Sequence, residues 1–149
     1  MHETFLDQIQ FKQAEDYSLP LVKQFYKFNK MRAQAPKGDL IFIATLNARI
    51  AAALRLHPIN SCYLLRSMCV SAELRGQGLG SALLNYLQNQ LNEIECYCFP
   101  FSHLQNFYIQ AGFQLCTTED APQAITDKFN RYLSNGKDIC LMKHMPQSC

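Results

Sequence analysis

The sequence predicts a mixed α/β domain, a central and mostly antiparallel mixed sheet flanked by helices. Three observations carry that prediction. Short apolar runs of strand length alternate with segments whose apolar residues recur every three or four positions. Strand pairs stand both before and after one central strand, glycine loop and helix. With 149 residues, 48% of them hydrophobic and 17% charged, the chain is long and apolar enough to bury one core, and it reads as a single domain.

The elements follow in order. Thr4 to Phe11 alternates apolar and polar residues and reads as a first strand. Ser18 before Leu19-Pro20 marks a helix start with proline in the first turn. Leu21, Val22, Phe25 and Phe28 give that helix one buried side, ending near Met31, and the aromatic group Phe25, Tyr26 and Phe28 is expected in the core. Pro36-Lys37-Gly38-Asp39 is a turn. Leu40 to Leu46 is a nearly continuous apolar strand, and Asn47-Ala48 reverses it tightly into Arg49 to Leu56, a hairpin that His57-Pro58-Ile59-Asn60 closes. Cys62 to Val70 is apolar on both sides, as a central strand is.

Beyond the glycine loop, Leu79, Leu83, Tyr86, Leu87 and Leu91 form the apolar stripe of a helix. Ile94 to Phe99 is a short strand ended by Pro100. Ser102 to Ala111 is a second short helix, with Gly112 as its C-terminal exit. Phe113 to Thr118 and Asp138 to His144 are further strands. Glu119 to Lys137, between them, is longer than a hairpin turn needs. It holds a helix capped by Asp120, with Pro122 in the first turn, Asn135-Gly136 at the end, and Ile125, Phe129, Tyr132 and Leu133 on its buried face.

Composition narrows the function classes. A net charge of +2, with no stripe of Lys or Arg, argues against a nucleic-acid partner. The apolar runs fall far short of the roughly 20 residues that span a bilayer, so no membrane association is expected. Met1-His2-Glu3-Thr4 lacks the basic and apolar regions of a signal peptide, and the expected location is the cytoplasm. The seven cysteines are then reduced thiols used as small buried hydrophobes. Cys96-x-Cys98 puts two thiols on one strand face, but no cluster of zinc-ligand spacing accompanies it, and no metal is expected.

The chemistry concentrates in Arg75-Gly76-Gln77-Gly78-Leu79-Gly80, between the central strand and an amphipathic helix. Glycines allow positive φ and close approach of backbone to ligand. The first helical N–H groups lack intrahelical partners, and the helix dipole adds about half a positive charge there. Such a loop suits a phosphate or pyrophosphate. A P-loop would end in Gly-Lys-Ser/Thr, and the dinucleotide fingerprint would read Gly-x-Gly-x-x-Gly; this loop has neither spacing.

Arg-x-x-Gly-x-Gly after a central strand resembles the pyrophosphate-binding motif of the GNAT superfamily of N-acetyltransferases. Ser71-Ala72-Glu73-Leu74 leads into the loop as in many members. Phe107-Tyr108-Ile109-Gln110-Ala111-Gly112-Phe113 is similar to the family's second signature, a helix bearing tyrosine and then Gly-Phe. The likeness runs roughly from Asp39 to His144. It implies splayed central strands in a GNAT-like fold, with Met68, Cys69 and Val70 holding the pantetheine arm and Arg75, Gly76, Gln77, Gly78, Leu79, Gly80 and Ser81 holding the pyrophosphate. It also implies acetyl-CoA as cosubstrate and direct attack by a primary amine on the thioester. Tyr108 would protonate the departing thiolate, and a backbone N–H near Val70 would polarise the carbonyl.

The residues leave several points open. Glu73, Glu95, His57 and His103 are candidate bases by type, and a water chain to solvent is the alternative. Many members carry Asn at the start of the tyrosine helix; Pro100-Phe101-Ser102-His103 stands here, with Ser102 or Asn106 as substitutes. Arg66, inside a buried strand, either pairs internally or faces the acceptor cleft. The insertion is placed to shape that cleft. The rival class is a non-catalytic acyl-CoA-binding sensor or interaction module of the same fold. A homodimer is a frequent default for soluble proteins.

Overall fold

Asn47 and Ala48, at φ 52 and 66, build the expected tight reversal. Both are left-handed, the geometry whose twist matches a two-stranded ribbon. The computed structural model describes residues 4–32, 38–91 and 93–144. Its strands are Ile9–Gln13 (β1), Leu40–Leu46 (β2), Arg49–Ile59 (β3), Cys62–Val70 (β4), Cys96–Cys98 (β5), Phe113–Leu115 (β6) and Met142–His144 (β7). They form a seven-stranded sheet in the order β1-β2-β3-β4-β5-β7-β6. The chain divides into two compact units, residues 1–56 with 67–87 and residues 57–66 with 88–149.

In the first unit β1 and β2 pair antiparallel, Ile9 opposite Leu46 and Gln13 opposite Phe42. β2 and β3 do the same, Leu46 opposite Arg49 and Leu40 opposite Leu56. The helix Leu19–Phe28 (α1) has Pro20 in its first turn and packs Val22, Phe25 and Tyr26 on Ile41, Ile43, Ala53 and Cys69. Successive strand residues point to opposite faces. Phe42 therefore turns the other way, toward Tyr86 of the helix Leu79–Leu91 (α2), and Phe11 stacks on the same ring at 5.6 Å. A helix thus covers each face of this half of the sheet.

Three expectations are corrected here. The buried side of α1 excludes Leu21 and Phe28, which are 60% and 80% exposed. Tyr26 is buried with Phe25, as expected of that aromatic group, and its hydroxyl finds an internal acceptor. The first strand starts at Ile9. Ahead of it Thr4 and Asp7 exchange side-chain and backbone bonds and close a 3-10 turn over Phe5–Gln8. Of the expected turn at 36–39, Pro36 and Lys37 lie outside the described residues, and Gly38 has φ 103. β3 also runs on through exposed Pro58 to Ile59, leaving Asn60, at φ 54, to make the turn.

In the second unit β5 lies parallel to the start of β4, Tyr63 opposite Cys96 and Leu65 opposite Cys98. β7 pairs antiparallel with both β5 and β6, Cys96 and Phe113 each opposite His144. The insertion forms the helix Gln123–Ser134 (α4), whose Ile125 and Phe129 pack on Cys62, Leu64, Tyr97 and Leu141. Pro122, not Asp120, stands at its N-cap; Asp120 instead accepts the Thr117 hydroxyl at 3.1 Å in a separate 3-10 turn. Leu133 is 43% exposed, a turn past the buried Phe129. The three late strands are each shorter than expected. Their flanks bond as loops, Cys140 N–H to Pro100 and Cys116 N–H to Leu141, outside a regular ladder.

Candidate functional site

The loop after β4 belongs to the first unit. Gly76 and Gly78 have φ 81 and 84, a region L-residues rarely occupy. A Cβ at Gly76 would meet nothing within 4 Å, and one at Gly78 only Leu6 at 3.9 Å. Their need for glycine is conformational, and the surface above them is open. Gly80 differs from the other two: it lies in the first turn of α2 and is buried. The Gly78 carbonyl accepts the first helical bond, from Ala82 N–H at 3.0 Å. By helix geometry the Leu79, Gly80 and Ser81 amides precede that ladder, and Gly78 brings no capping side chain. A short arc of N–H groups without intrahelical partners at a helix N-terminus suits an anionic oxygen cluster.

The strand leading into the loop is held at its far end. Ser71 N–H donates to Ala51 of β3 at 2.8 Å. Consecutive residues of an antiparallel strand turn their polar groups to alternate edges. Val70 therefore faces away from β3, where Arg75 Nε donates to its carbonyl at 3.2 Å. The Val70 N–H leaves on that same edge. The β4–β5 register ends at Leu65 and Cys98, whereas β4 continues to Val70. Cys69 turns inward among the α1 contacts, and burial pushes its thiol above the usual range.

Tyr26 and Arg55, backed by Asp39, gather at Ser67 of β4. Ser67 has φ 58, a conformation that costs a non-glycine residue roughly 1–2 kcal/mol. The Tyr26 hydroxyl donates to its carbonyl at 2.8 Å. Arg55 Nε and Nη2 both donate to its Oγ, at 3.2 and 3.1 Å, and Arg55 Nη1 pairs with Asp39. Burial raises the Tyr26 phenol well above its usual range. The sequence carried a signal here, an arginine inside the run Ile50-Ala-Ala-Ala-Leu-Arg-Leu56, of the same kind that drew attention to Arg66.

Tyr108 lies in the second unit, on the short helix Gln105–Gln110 (α3), where it is buried. Its ring meets Phe107 and Phe113 edge-on at 5.2 and 5.7 Å. Burial, with Cys98 and Cys96 nearby, raises its pKa, so the phenol is protonated at neutral pH. Ahead of α3 the Ser102 hydroxyl donates to Asp138 at 2.8 Å and its N–H to the Asp138 carbonyl, so this serine anchors the helix start. Asn106 is exposed.

The candidate bases are differently placed. Glu95 accepts the Tyr97 hydroxyl at 3.0 Å and pairs with Lys143 at 3.2 Å. His103 is exposed and stacks on Phe101. Glu73 lines an open cleft of about 940 Å³ with Arg49, Leu21 and Phe28. Arg66 pairs internally, donating to the Tyr132 hydroxyl of α4 at 2.7 Å. Among the described residues no group of three His, Cys, Asp or Glu side chains could hold a metal, and no helix is long and apolar enough to cross a membrane.

Among the described residues β4 and β5 pair in parallel within the seven-stranded sheet, and a glycine loop opens a helix after β4, the fold of the acetyltransferase structures it is similar to. The chain belongs to the GNAT acetyltransferase family, whose domain profile matches residues 37–115, more than half of its length. No curated protein sequence matches it. Among solved structures, N-acetylglutamate synthase from Neisseria gonorrhoeae, complexed with coenzyme A and N-acetyl-glutamate, is similar at a TM-score of 0.72 and 14% identity. That match covers 99% of this chain but only 36% of the synthase. The ribosomal-protein-S18-alanine N-acetyltransferase from Escherichia coli is similar at a TM-score of 0.69 and 17% identity, covering 95% of this chain and 96% of that one. An acyl-CoA N-acyltransferase from Pseudomonas aeruginosa matches at 0.64 and 18%, covering 91% and 97%. At these identities the likeness is one of fold.

Proposed function

We propose that this chain transfers the acetyl group of acetyl-CoA to a primary amine, acting as one acetyltransferase domain in the cytoplasm. The observation that carries the reading is the loop: Gly76 and Gly78 held at positive φ beneath open space, directly before a helix to whose N-terminus Gly78 offers no side chain. Leu79, Gly80 and Ser81 would bond the pyrophosphate through their amides, with Arg75 and Gln77 exposed beside them. The Met68–Val70 edge would hold the pantetheine arm, and the Val70 N–H would bond the thioester carbonyl as negative charge develops on its oxygen.

The amine attacks the thioester carbonyl carbon, and the carbon–sulfur bond breaks as the amide forms. Tyr108 gives its phenolic proton to the departing CoA sulfur, and its protonated state at neutral pH supports that role. The proton lost by the amine leaves through water or through a base not assigned to any residue; Glu95 is already engaged by Tyr97 and Lys143. That engagement is what favours the second reading, an acyl-CoA-binding module without turnover. Free amino acids, peptide N-termini, protein lysines and small amines are all acceptors to be tried.

Acetyl-CoA turnover across a panel of such amines, followed as thiol release, separates the two. Amine-dependent release supports the enzyme, and tight CoA binding with no release from any amine supports the module. ATP displacing CoA from the chain would refute both.

A further inference from the structure

We infer that Arg55 is a positioning residue for acyl transfer: paired with Asp39, it clamps Ser67 in its left-handed conformation and so aims the backbone edge from Met68 to Val70. The inference rests on the acyl-transfer reading given above. It starts from a local conflict. Ser67, in the middle of a strand, sits at φ 58, which glycine adopts freely and serine resists. Nothing in the residue itself favours that angle, so the surroundings must hold it.

Both polar ends of Ser67 are held. Tyr26 fixes the carbonyl at 2.8 Å, and Arg55 fixes the side chain with two N–H groups on one oxygen, at 3.2 and 3.1 Å. The guanidinium is a rigid planar fork, so two bonds to one atom define a direction as well as a distance. Its remaining edge meets Asp39, and the two side chains are only 5% and 1% exposed. An ion pair so buried is an inefficient route to stability, because apolar residues of similar volume often serve as well. What apolar residues cannot supply is the fork.

The position of the clamp gives it a consequence. Ser71 N–H is fixed to Ala51 at 2.8 Å. With Ser67 fixed as well, Met68, Cys69 and Val70 span a segment anchored at both ends. A left-handed residue inside a strand breaks the regular alternation and re-aims the groups that follow it. The direction of the Val70 N–H, the proposed donor to the thioester oxygen, is therefore set in part by the angle that Arg55 enforces. A donor that stabilises charge in the transition state is sensitive to such aim, while ground-state binding of CoA through the loop is much less so.

The test uses the full chain and a glycine rescue. Arg55→Met should lower kcat about tenfold or more with the KM for acetyl-CoA within about threefold, the pattern of an interaction that matters in the transition state. Adding Ser67→Gly to that variant should return kcat to within about threefold of the parent, because glycine holds positive φ without a clamp. Backbone amide spectra of the free protein should show Met68 to Val70 displaced in Arg55→Met and restored in the double variant. If Arg55→Met does not fold, Ser67→Ala compared with Ser67→Gly takes its place: both lose the gripped oxygen, and only alanine should lose turnover.

A folded Arg55→Met with parental kcat, or a glycine variant that regains stability without regaining turnover, overturns the inference. If the parent chain binds CoA and transfers nothing, the acyl-transfer reading fails and the amide spectra still decide the clamp. Unmoved amides in Arg55→Met reject it, and displaced ones restored by glycine uphold it.

Discussion

The two compact units hold their functional residues by different means. In residues 1–56 and 67–87 the important geometry is polar: Arg55, Asp39, Tyr26 and Ser67 fix one another by hydrogen bonds, and the loop relies on two backbone angles. In residues 57–66 and 88–149 it is mainly apolar: Tyr108 is set among Phe107 and Phe113, and α4 is seated by Ile125 and Phe129. Directional bonds fix an angle and fail abruptly when one partner is lost. Packing fixes a position, and repacking softens its loss. The first unit should therefore show sharp functional effects, and the second more graded effects on stability, with Tyr108 the exception that tests the contrast.

Substitution at matched glycines gives the largest difference. Gly78→Asp places a negative charge against the pyrophosphate and forces a side chain to φ 84. It should reduce CoA affinity about a hundredfold or more, as calorimetry would read, because like charge and strain act together. Gly136→Asp, at φ 83 with nothing within 4 Å of the added Cβ, meets the same backbone cost after α4. It should lose about 1 kcal/mol of stability and leave CoA affinity unchanged. Equal losses of CoA binding in both would erase the distinction.

Tyr108→Phe keeps the packing and removes only the proton. Turnover should fall about a hundredfold with little change in CoA affinity, the usual range for loss of a general acid. An unaltered rate across the pH range would show Tyr108 to be a packing residue like its aromatic neighbours. Phe129→Ala should cost about 3 kcal/mol in chemical denaturation, since it empties a site among Cys62, Leu64, Tyr97 and Leu141, while CoA affinity stays as it was.

The smallest effect concerns acid. His144 is 3% exposed, its Nδ1 has no hydrogen-bond partner among the described residues, and burial lowers its pKa below the usual value. The unfolded chain then binds this proton first. The contribution of His144 to stability is complete above a pH of about 6.5 and declines as pH falls toward the lower folded value. Melting temperatures between pH 7.5 and 5 should fall more steeply for the parent than for His144→Phe, and equal slopes would remove His144 as a source.

Much of this was legible in the sequence. β2, β4 and α2 fall where periodicity and turn residues put them, because continuous apolar runs and a helical stripe compete with nothing else locally. The loop was legible because alternating glycines answer a backbone need. The start of β1 was not, since two local side-chain bonds outcompete alternation at Thr4 and Asp7. On α1, Tyr26 is legible as core beside Phe25, but Leu21 and Phe28 do not share that side, and the acceptor of the Tyr26 hydroxyl lies 41 residues away, beyond any local pattern. The Ser67 clamp was invisible for the same reason: its partners come from α1, β3 and the residue before β2, and no local pattern announces a serine at positive φ.

Cys62, Cys69, Cys96, Cys98, Cys116 and Cys140 are all unbridged, and burial raises the pKa of every one. The thiolate is the nucleophile in disulfide exchange, so these sulfurs are chemically quiet at neutral pH. A chromogenic thiol reagent added to the folded chain should therefore reach the buried Cys62, Cys69, Cys96 and Cys98 only as segments open, after the partly exposed Cys116 and Cys140. In the absence of amine, the slow phase of the colour it develops becomes a clock for local unfolding, read through an internal set of silent probes.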